Sequence, residues 1–559
     1  MILCTRSGFS TGNNDLYIRA WQEVSFHEIK LDANSLDDYK QSNIKYIPFT
    51  AGGSFRRWYG NLYNVVNWTN TSSMHRPRNT YSDLYCREGL TWNEVTIDKF
   101  SSRLYPAGML FEHSGVSLFP NDKTDIFSIL GFLNSKIVPT YLAILNPTLH
   151  NGAEVVSKIP IILPDVPIGR IKDCISISKQ DWDAHETSWD FQTSPLIAAK
   201  EMCGGNGADL DALSEENRKE ILAESNIPTD PNKLEDCCKA YCNHWTRQFH
   251  KLHRNEEELN RRFIEIYGLQ DELTPDVPLS EVTILQQGEI KVTDQYPLET
   301  EDGALLTTEK GEILTVTGDE HIEFQNDVVI KQLISYIVGV WMGRYRLDRP
   351  GLNIAHPEPT DEELSPYTYG SEQETLVIDD DAIIPILPKD SPFEDNLANR
   401  IDDFVRIVWG RDTMNENLNF IEQSLGKSIE DYVNKEFWKD HKRMYQNRPI
   451  YWLFSSKKGA FKVLVYAHRM NKHTVSKIRS NYLLKFIKWL EDKVTAMEAR
   501  AAELSTRERK DLDRARKNLE ECHEYHNRLQ KVAESEITFD LDDGIIHNHA
   551  LFGEVLVKL

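Results

Sequence analysis

The chain has 559 residues, of which 40% are hydrophobic and 27% charged, and it carries eight cysteines and a net charge of −23. The length allows about three or four globular domains, and no run approaches the roughly 20 apolar residues that span a bilayer. Because the first residues lack the apolar core of a signal peptide and the few cysteines exclude a disulfide framework, we expect a cytoplasmic protein with no membrane partner.

The negative charge belongs to the later chain. Residues 1–170 carry 16 Lys and Arg against 15 Asp and Glu, whereas the remainder carries 48 against 72. The first part is nearly neutral, so the overall acidity does not exclude nucleic-acid binding there.

Residues 1–175 are predicted to form a mixed α/β domain. Strand-like alternation occurs at Tyr46–Phe49 and Val65–Trp68. Asp125–Leu145 is apolar at helical spacing, and Pro139 is expected to kink or split that helix.

Within this domain, residues 52–106 interleave ten aromatic side chains with six arginines. A planar guanidinium matches phosphates and guanine edges, and aromatic rings stack on bases or brace the guanidinium. The pattern is equally typical of a nucleic-acid surface and of a small β-rich core with a rim of solvated arginines.

Residues 176–275 are predicted to be a helical connector. Apolar residues at three- and four-residue steps predict a helix of about 35 residues, more than 50 Å long, capped by Asp230 and ended by Gly268. Its Cys237, Cys238, Cys242 and His244 do not form the two spaced pairs of a zinc site, so packing of free cysteine in the core is favoured.

Residues 276–480 are predicted to form an acidic, mixed α/β domain. Asp379, Asp380 and Asp381 could suggest a metal, but a solvated acidic turn is favoured because no partner ligands are evident. Residues 441–490 hold 12 Lys and Arg and no Asp or Glu. This basic run predicts a phosphate-binding surface, with pairing to the chain's own acidic segments as the alternative.

Two strand-like runs in this basic segment, Ile450–Phe454 and Phe461–Tyr466, flank Lys457 and Lys458 and predict a hairpin. Apolar heptad-like steps across 481–536 then predict an antiparallel helical hairpin that turns at Ser505, with one continuous helix as the alternative. Residues 537–559 are predicted to be a compact tail. The fold class expected is α+β and multidomain.

A series of motifs in residues 1–170 resembles the DNA target-recognition domain of large single-chain adenine-specific DNA methyltransferases and restriction–modification enzymes. Later motifs extend the resemblance, in the same order, to the C-terminal half of the PglX family, the methyltransferases of BREX phage-defence systems. The motifs are WYGN (58–61), VVNW (65–68), RPRNT (76–80), EGLTW (88–92), SSRLYPAG (101–108), ILGFLNSK (129–136), LNPT (145–148), IPI (159–161), NEEELNRRFIEIYGLQDELTPDV (255–277), GRYRLDRPGL (343–352), NRPIYWLF (447–454), AFKVLVYAHRM (460–470) and DLDDGII (540–546).

In that family an upstream domain binds S-adenosylmethionine and methylates adenine N6, which marks host DNA. This chain lacks the family's Asn/Asp-Pro-Pro-aromatic motif, because LNPTLH at 145–150 has Thr148 and Leu149 in place of the proline and aromatic residue. It also lacks the glycine-rich cofactor loop. We therefore expect no cofactor in this chain, S-adenosylmethionine in a missing catalytic domain, and no methyl transfer by this chain alone; whether it is a split protein or a truncation is open.

The resemblance implies that the chain is the DNA-recognition part of an adenine-N6 methyltransferase. Its partners would be double-stranded DNA and a methyltransferase domain in cis or in trans. The alternatives are a protein-interaction scaffold for other phage-defence proteins and an enzyme of unrecognised chemistry. The side chains expected to read bases are Arg56, Arg57, Trp58, Tyr59, Asn61, Arg76, Arg78 and Arg103, and those expected to bind phosphates are Ser102, Lys457, Lys458, Lys462, Arg469 and Lys472.

Overall fold

The computed structural model describes residues 3–97, 99–120, 125–162, 166–203, 230–298, 300, 305–308, 313–370 and 373–559. It is 45% helical and 16% strand, which confirms the α+β, multidomain class. The chain divides into two compact units. Unit 1 comprises Met1–Ile18, Lys30–Asp183 and Tyr241–Val329, and unit 2 comprises Arg19–Ile29, Ala184–Ala240 and Ile330–Leu559. The five segments predicted from the sequence stay a prediction.

Unit 1 is built on a five-stranded sheet whose order is Leu3–Arg6, Gly115–Pro120, Gly89–Asn93, Ser102–Tyr105 and Trp58–Tyr59. The first four strands pair antiparallel, and the last pairs in parallel. The middle strands are rich in aliphatic and aromatic residues and are almost wholly buried, as expected for a sheet covered on both faces.

A second group of strands in unit 1 confirms the predicted alternation. Tyr46–Thr50 pairs antiparallel with Asn64–Asn67 and in parallel with Leu110–Phe111. Farther along the chain, Ile290–Pro297 and Thr315–Phe324 form a separate antiparallel hairpin.

The apolar run at 125–145 is split, but not at its proline. Ile126–Leu133 begins with Asp125 as its cap, and Ile137–Leu145 follows at an angle of 66°. Pro139 lies in the first turn of the second helix, where its missing N–H leaves no intrahelical bond unmade. No single described helix is long and apolar enough to cross a membrane, and this bent pair passes such a test only as two segments together.

The long connector helix is observed at Leu234–Tyr267, and its 34 residues match the predicted length. It ends before Gly268, whose φ of 66° is left-handed. It begins three residues later than predicted, because Asp230 accepts a hydrogen bond from Lys233 N in a preceding turn. The remaining helices of unit 1 are Asn14–Tyr17, Leu36–Ser42, Ala153–Val156 and Ile168–Asp183, with short 3₁₀ turns at Asn79–Tyr81 and Leu279–Glu281.

Unit 2 has a small antiparallel sheet at its centre. Lys462–Tyr466 is the middle strand, between Ile383–Pro385 and Tyr451–Ser455, so the predicted basic hairpin is confirmed. Tyr367–Tyr369 and Glu374–Leu376 form a second, two-stranded sheet. The helices of unit 2 are Pro195–Met202, most of Asn326–Trp341, Asp361–Leu364, Leu397–Trp409, Met414–Leu425, Ile429–Lys435, Phe437–Met444, Thr474–Lys477 and Ile545–Ala550, besides the helical hairpin described next.

The predicted helical hairpin is also present in unit 2. Leu484–Glu498 continues from a π-helical turn at Ile478–Leu483, and Thr506–Glu534 returns. Ser505 and Glu508 form the predicted capping box, in which each side chain accepts a hydrogen bond from the other residue's backbone N–H. Three side chains of the second helix, Cys522, Tyr525 and Leu529, are fully buried.

Candidate nucleic-acid interface

Three of the predicted base-reading arginines are in the interior of unit 1. Arg56, 5% exposed, donates from Nη2 to Asp181 Oδ2 at 2.6 Å. Arg57 donates from Nη1 to Glu256 Oε2 at 2.8 Å. Arg103 is fully buried and donates to Asn93 Oδ1 at 3.2 Å, and burial lowers its pKa to about 10, which leaves it charged at neutral pH. We call these three residues the arginine hub.

The WYGN motif supports the hub. Trp58 and Asn61 both have left-handed φ angles, of 70° and 59°. This turn brings Tyr59 O to 2.7 Å from Arg56 Nε, and a side chain at Gly60 would come within 2.3 Å of the same nitrogen. The glycine is therefore required because the guanidinium occupies the space beside it.

The other motif residues are also bonded within unit 1. Trp58 Nε1 donates to Glu256 Oε1 at 2.6 Å, and Asn61 Nδ2 donates to Ser54 O at 2.9 Å. Ser102 is fully buried, and its hydroxyl donates to Thr91 O at 3.2 Å. Tyr59 is buried as well.

Because these side chains are buried and bonded, their positions argue against the direct DNA contact that was predicted for them. A guanidinium that is buried and bonded inside the fold cannot reach a base edge unless the surrounding structure opens. The hub instead fixes the strand Trp58–Tyr59 to the helix Ile168–Asp183 and to the connector helix. The buried residues that stabilise this part of the fold are Arg56, Arg57, Trp58, Tyr59, Asn61, Ser102 and Arg103.

A second set of arginines in unit 1 is at the surface. Arg76 and Arg87 are exposed, and Arg6 and Arg78 are half-buried. The guanidinium carbons of Arg6 and Arg78 each lie 5.7 Å from the centre of the Tyr81 ring. We call Arg6, Arg76, Arg78 and Arg87 the surface arginine cluster.

Aromatic rings connect three members of this cluster, Arg6, Arg78 and Arg87. Tyr81 stacks on Phe111 with ring centres 6.3 Å apart, and Phe111 contacts Phe119 at 5.2 Å. The guanidinium of Arg87 lies 5.9 Å from the centre of the Phe119 ring. Because aromatic faces attract cations, these rings hold the arginines near one another at the surface.

Two loops fix the position of Arg76. Ser10 and Arg76 exchange backbone hydrogen bonds of 2.8 and 2.9 Å. A side chain at Gly8 would lie 1.9 Å from Phe111 O, so only glycine allows this close approach. Arg78 has a left-handed φ of 54°, a conformation that non-glycine residues seldom adopt away from turns and functional sites.

No ion pair neutralises the surface arginine cluster. Among the described residues, none of its four guanidiniums lies within 4.0 Å of a carboxylate. Arg78 Nε is buried without a hydrogen-bond partner. Sequence reasoning identified Arg76 and Arg78 but not Arg6, which is distant in sequence, and it named Arg87 only as part of the aromatic stretch.

The predicted phosphate-binding residues of unit 2 lie in different environments. Lys457 and Lys458 are exposed at the tip of the basic hairpin, whose backbone is fixed by a 2.6 Å bond from Lys458 N to Glu521 Oε1. Lys462 donates to Asn434 O at 2.6 Å, and burial lowers its pKa. Arg469 donates to Asp379 O at 2.7 Å.

The fifth lysine or arginine of that group, Lys472, is half exposed and lies 3.8 Å from Glu536. Lys457 and Lys458 therefore remain the two residues of this set whose charged groups have no bonded partner among the described residues.

The acidic triplet is not the solvated turn that was predicted. Asp379 is buried, and Asp379 and Asp381 both accept a hydrogen bond from Ile383 N. Their side chains are close enough together to hold a metal ion, but Asp379 also contacts Arg400 at 3.4 Å. Burial and the neighbouring Asp379 raise the pKa of Asp381 to about 7. The bonds to Ile383 N and Arg400 occupy oxygens of this cluster within the protein.

The cysteine cluster agrees with core packing. Cys237 and Cys238 are buried, and Cys237 Sγ accepts from Trp409 Nε1 at 3.4 Å. Cys203 Sγ lies 3.9 Å from Cys237 Sγ. The described part of the chain contains no other group of three or more potential metal ligands besides the aspartate triplet.

The fold and these surfaces define a class: an α+β multidomain protein with a positively charged aromatic surface on unit 1. Comparison with known proteins makes the class specific. The chain is 32% identical, over 98% of its length, to the adenine-specific methyltransferase BrxX of Escherichia coli O9:H4. It is also 32% identical, over 98% of its length, to the adenine-specific methyltransferase PglX of Lacticaseibacillus casei.

The chain is therefore PglX-like over nearly its whole length, as the motifs indicated. It spans 42% of the length of each of these two relatives. No family model matches it. A solved structure of the type IIL restriction-modification enzyme MmeI in complex with DNA is 10% identical, covers 51% of this chain and 34% of its own, and has a TM-score of 0.24, too low to define a shared fold.

Proposed function

We propose that this chain is the DNA-recognition part of a PglX-like adenine-specific methyltransferase and that the surface arginine cluster of unit 1 contacts the duplex. Three guanidiniums held on aromatic rings, with Arg76 beside them, carry this proposal, since none of the four has a carboxylate partner among the described residues. Like charges held close together repel one another, and a phosphate or a guanine edge would relieve that repulsion.

The cluster combines two properties that DNA recognition needs. Arg76 and Arg78 lie on a loop fixed by backbone bonds, so their guanidiniums can be aimed at a base edge with little loss of conformational freedom. Arg6 and Arg87 flank them and would neutralise the backbone charge. The methyltransferase domain that uses this recognition would be in cis or in trans, and S-adenosylmethionine would bind there rather than to this chain.

Selection of duplexes from a randomised pool by the full chain, followed by sequencing, tests the proposal. Arg78→Ala should reduce preference for the enriched sequence by about 1–3 kcal/mol, because a bidentate guanidinium discriminates bases by that amount. Arg78→Lys should retain general affinity but not the preference, since an ammonium lacks the fork. The same selection with the cognate methyltransferase domain added covers the case in which the chain alone binds too weakly.

Arg261→Ala is the matched control, because Arg261 is an exposed arginine of unit 1 that pairs with Glu258. It should change neither affinity nor preference. If the Arg78 and Arg261 variants both bind like the parent, the surface arginine cluster does not recognise DNA.

A further inference from the structure

The hairpin of Ile290–Pro297 and Thr315–Phe324 is half-buried at its base, where Thr293 is buried, and exposed in its outer half. All residues from 313 to 320 are exposed. An isolated two-stranded ribbon is marginally stable in water at best, because no second layer covers its side chains. Each strand also has one edge whose N–H and C=O groups are not paired in a sheet. We call this hairpin, with its continuation through Leu298 and Leu314, the acidic arm.

One face of the acidic arm is apolar. Tyr296 is paired with Val316, and Leu298 N donates to Leu314 O at 2.8 Å. Alternate residues of a strand share a face, so these four side chains lie together. Their exposed fractions are 37% for Tyr296, 38% for Leu298, 40% for Leu314 and 51% for Val316.

The other face is polar, which makes the ribbon amphipathic. Gln295 exchanges side-chain hydrogen bonds with Thr317 and Thr315, at 3.1 and 3.0 Å. Leu306, which is 39% exposed, lies next to these residues, because its backbone bonds to both Leu298 and Leu314 at 2.8 Å. A contiguous apolar patch of this kind marks an interaction surface in a soluble protein.

Charge decides what covers the patch. The described residues of the arm, 290–298 and 314–324, contain Asp294, Asp319, Glu320 and Glu323 against one lysine, Lys291. Duplex DNA is a polyanion and is repelled, and a second copy of the arm would bring the same negative charge against it. A basic protein surface is attracted, and complementary charge both steers its approach and fixes its orientation.

We propose that the acidic arm docks a protein partner whose surface has an apolar centre surrounded by Lys and Arg. The partner covers Tyr296, Leu298, Leu314 and Val316, and its strand or loop pairs with a free edge of the ribbon. This site is separate from the surface arginine cluster and has the opposite charge, so DNA and the partner bind independent surfaces.

Synthetic peptides of defined pattern test the proposal with the full chain, by isothermal titration calorimetry. The probe is a peptide that alternates Lys and Leu; one that alternates Lys and Ser retains only the charge, and one that alternates Glu and Leu retains only the apolar face. The Lys–Leu peptide should bind, and Leu298→Ser with Leu314→Ser should weaken it by about tenfold or more. Ile144→Ser, at an exposed apolar residue of the helix Ile137–Leu145, should leave binding unchanged.

A charge-reversed variant, Asp294→Lys with Asp319→Lys, retains the apolar face. It tests the proposal even if the serine variant fails to form the hairpin. It should also weaken the Lys–Leu peptide by about tenfold. The proposal is overturned if the Lys–Ser or Glu–Leu peptide binds as tightly as the Lys–Leu peptide, or if the variants bind like the parent. A concentration-dependent dimer that the serine variant abolishes in sedimentation would assign the face to a second copy instead.

Discussion

Unit 1 contains two sets of arginines, one buried and one at the surface. The arginine hub is buried and bonded to Asp181, Glu256 and Asn93. The surface arginine cluster stands on aromatic rings and has no carboxylate partner among the described residues. Both sets come largely from one stretch in which arginine and aromatic residues alternate.

The comparison shows that an arginine–aromatic pattern does not by itself identify a binding surface. A buried guanidinium needs acceptors inside the protein, which Asp181, Glu256 and Asn93 supply, because desolvation of an unbonded charge costs several kcal/mol. A solvated guanidinium on an aromatic face needs no such partner and is free to bind an anion. The partner of the guanidinium, rather than its neighbours in sequence, therefore separates framework from recognition.

Removal of Glu256 should have the largest effect on the hub. Glu256→Ala removes the acceptor that Arg57 and Trp58 Nε1 share and leaves Arg57 with Glu281 alone, so the free energy of unfolding should fall by about 3 kcal/mol. Denaturant unfolding followed by circular dichroism measures this. Glu258→Ala, at a partly exposed residue of the same helix, should cost less than about 0.5 kcal/mol. A similar cost for both variants would contradict the framework role.

A buried carboxyl in unit 2 sharpens the contrast between paired and unpaired charge. Glu186 is buried, and desolvation raises its pKa from 4.5 to about 7, against the opposing effect of Ser335 and Arg344. The folded state thus retains a proton that the unfolded chain has already released. Stability is full below about pH 4.5 and decreases until the pH passes about 7.

Glu186→Gln should remove that decrease, because the amide is neutral at every pH. The variant should be within about 1 kcal/mol of the parent at pH 5 and exceed its free energy of unfolding by about 3 kcal/mol at pH 8. Unfolding midpoints across this pH range provide the measurement, with exposed Glu201→Gln as the control. A parent protein whose stability does not change with pH in this interval would show that Glu186 is ionised in the fold.

The exposed lysines of the basic hairpin should give the smallest effect. Lys457→Ala with Lys458→Ala should weaken all duplexes alike and reduce the slope of log affinity against log salt by roughly 0.9 for each lost phosphate contact. Lys435→Ala with Lys488→Ala, at two exposed lysines that are each paired with an aspartate, is the matched double control. If the Lys457 and Lys458 variant changes the sequence preference instead, the basic hairpin reads bases, and its assignment to phosphate binding is wrong.

Local sequence determined much of the fold. Alternation predicted the strands at 46–49 and around 65, and helical spacing predicted the connector helix and the helical hairpin with its Ser505 cap. These features depend on neighbours within a few residues, because one buried face repeats with the period of its own element. The break near 134 was misplaced, since a proline in the first turn of a helix carries no penalty.

The roles of the arginines were decided by tertiary structure. Arg56 meets its carboxylate 125 residues away in sequence, and Arg57 meets its partner 199 residues away. Arg6 and Arg78 come from separate strands and loops to share one tyrosine ring. The sequence by itself determined that the chain is PglX-like and that its first part is rich in arginine and aromatic residues. Only the fold decided which arginines are buried, because the free energy of a charge depends on the groups that surround it in space.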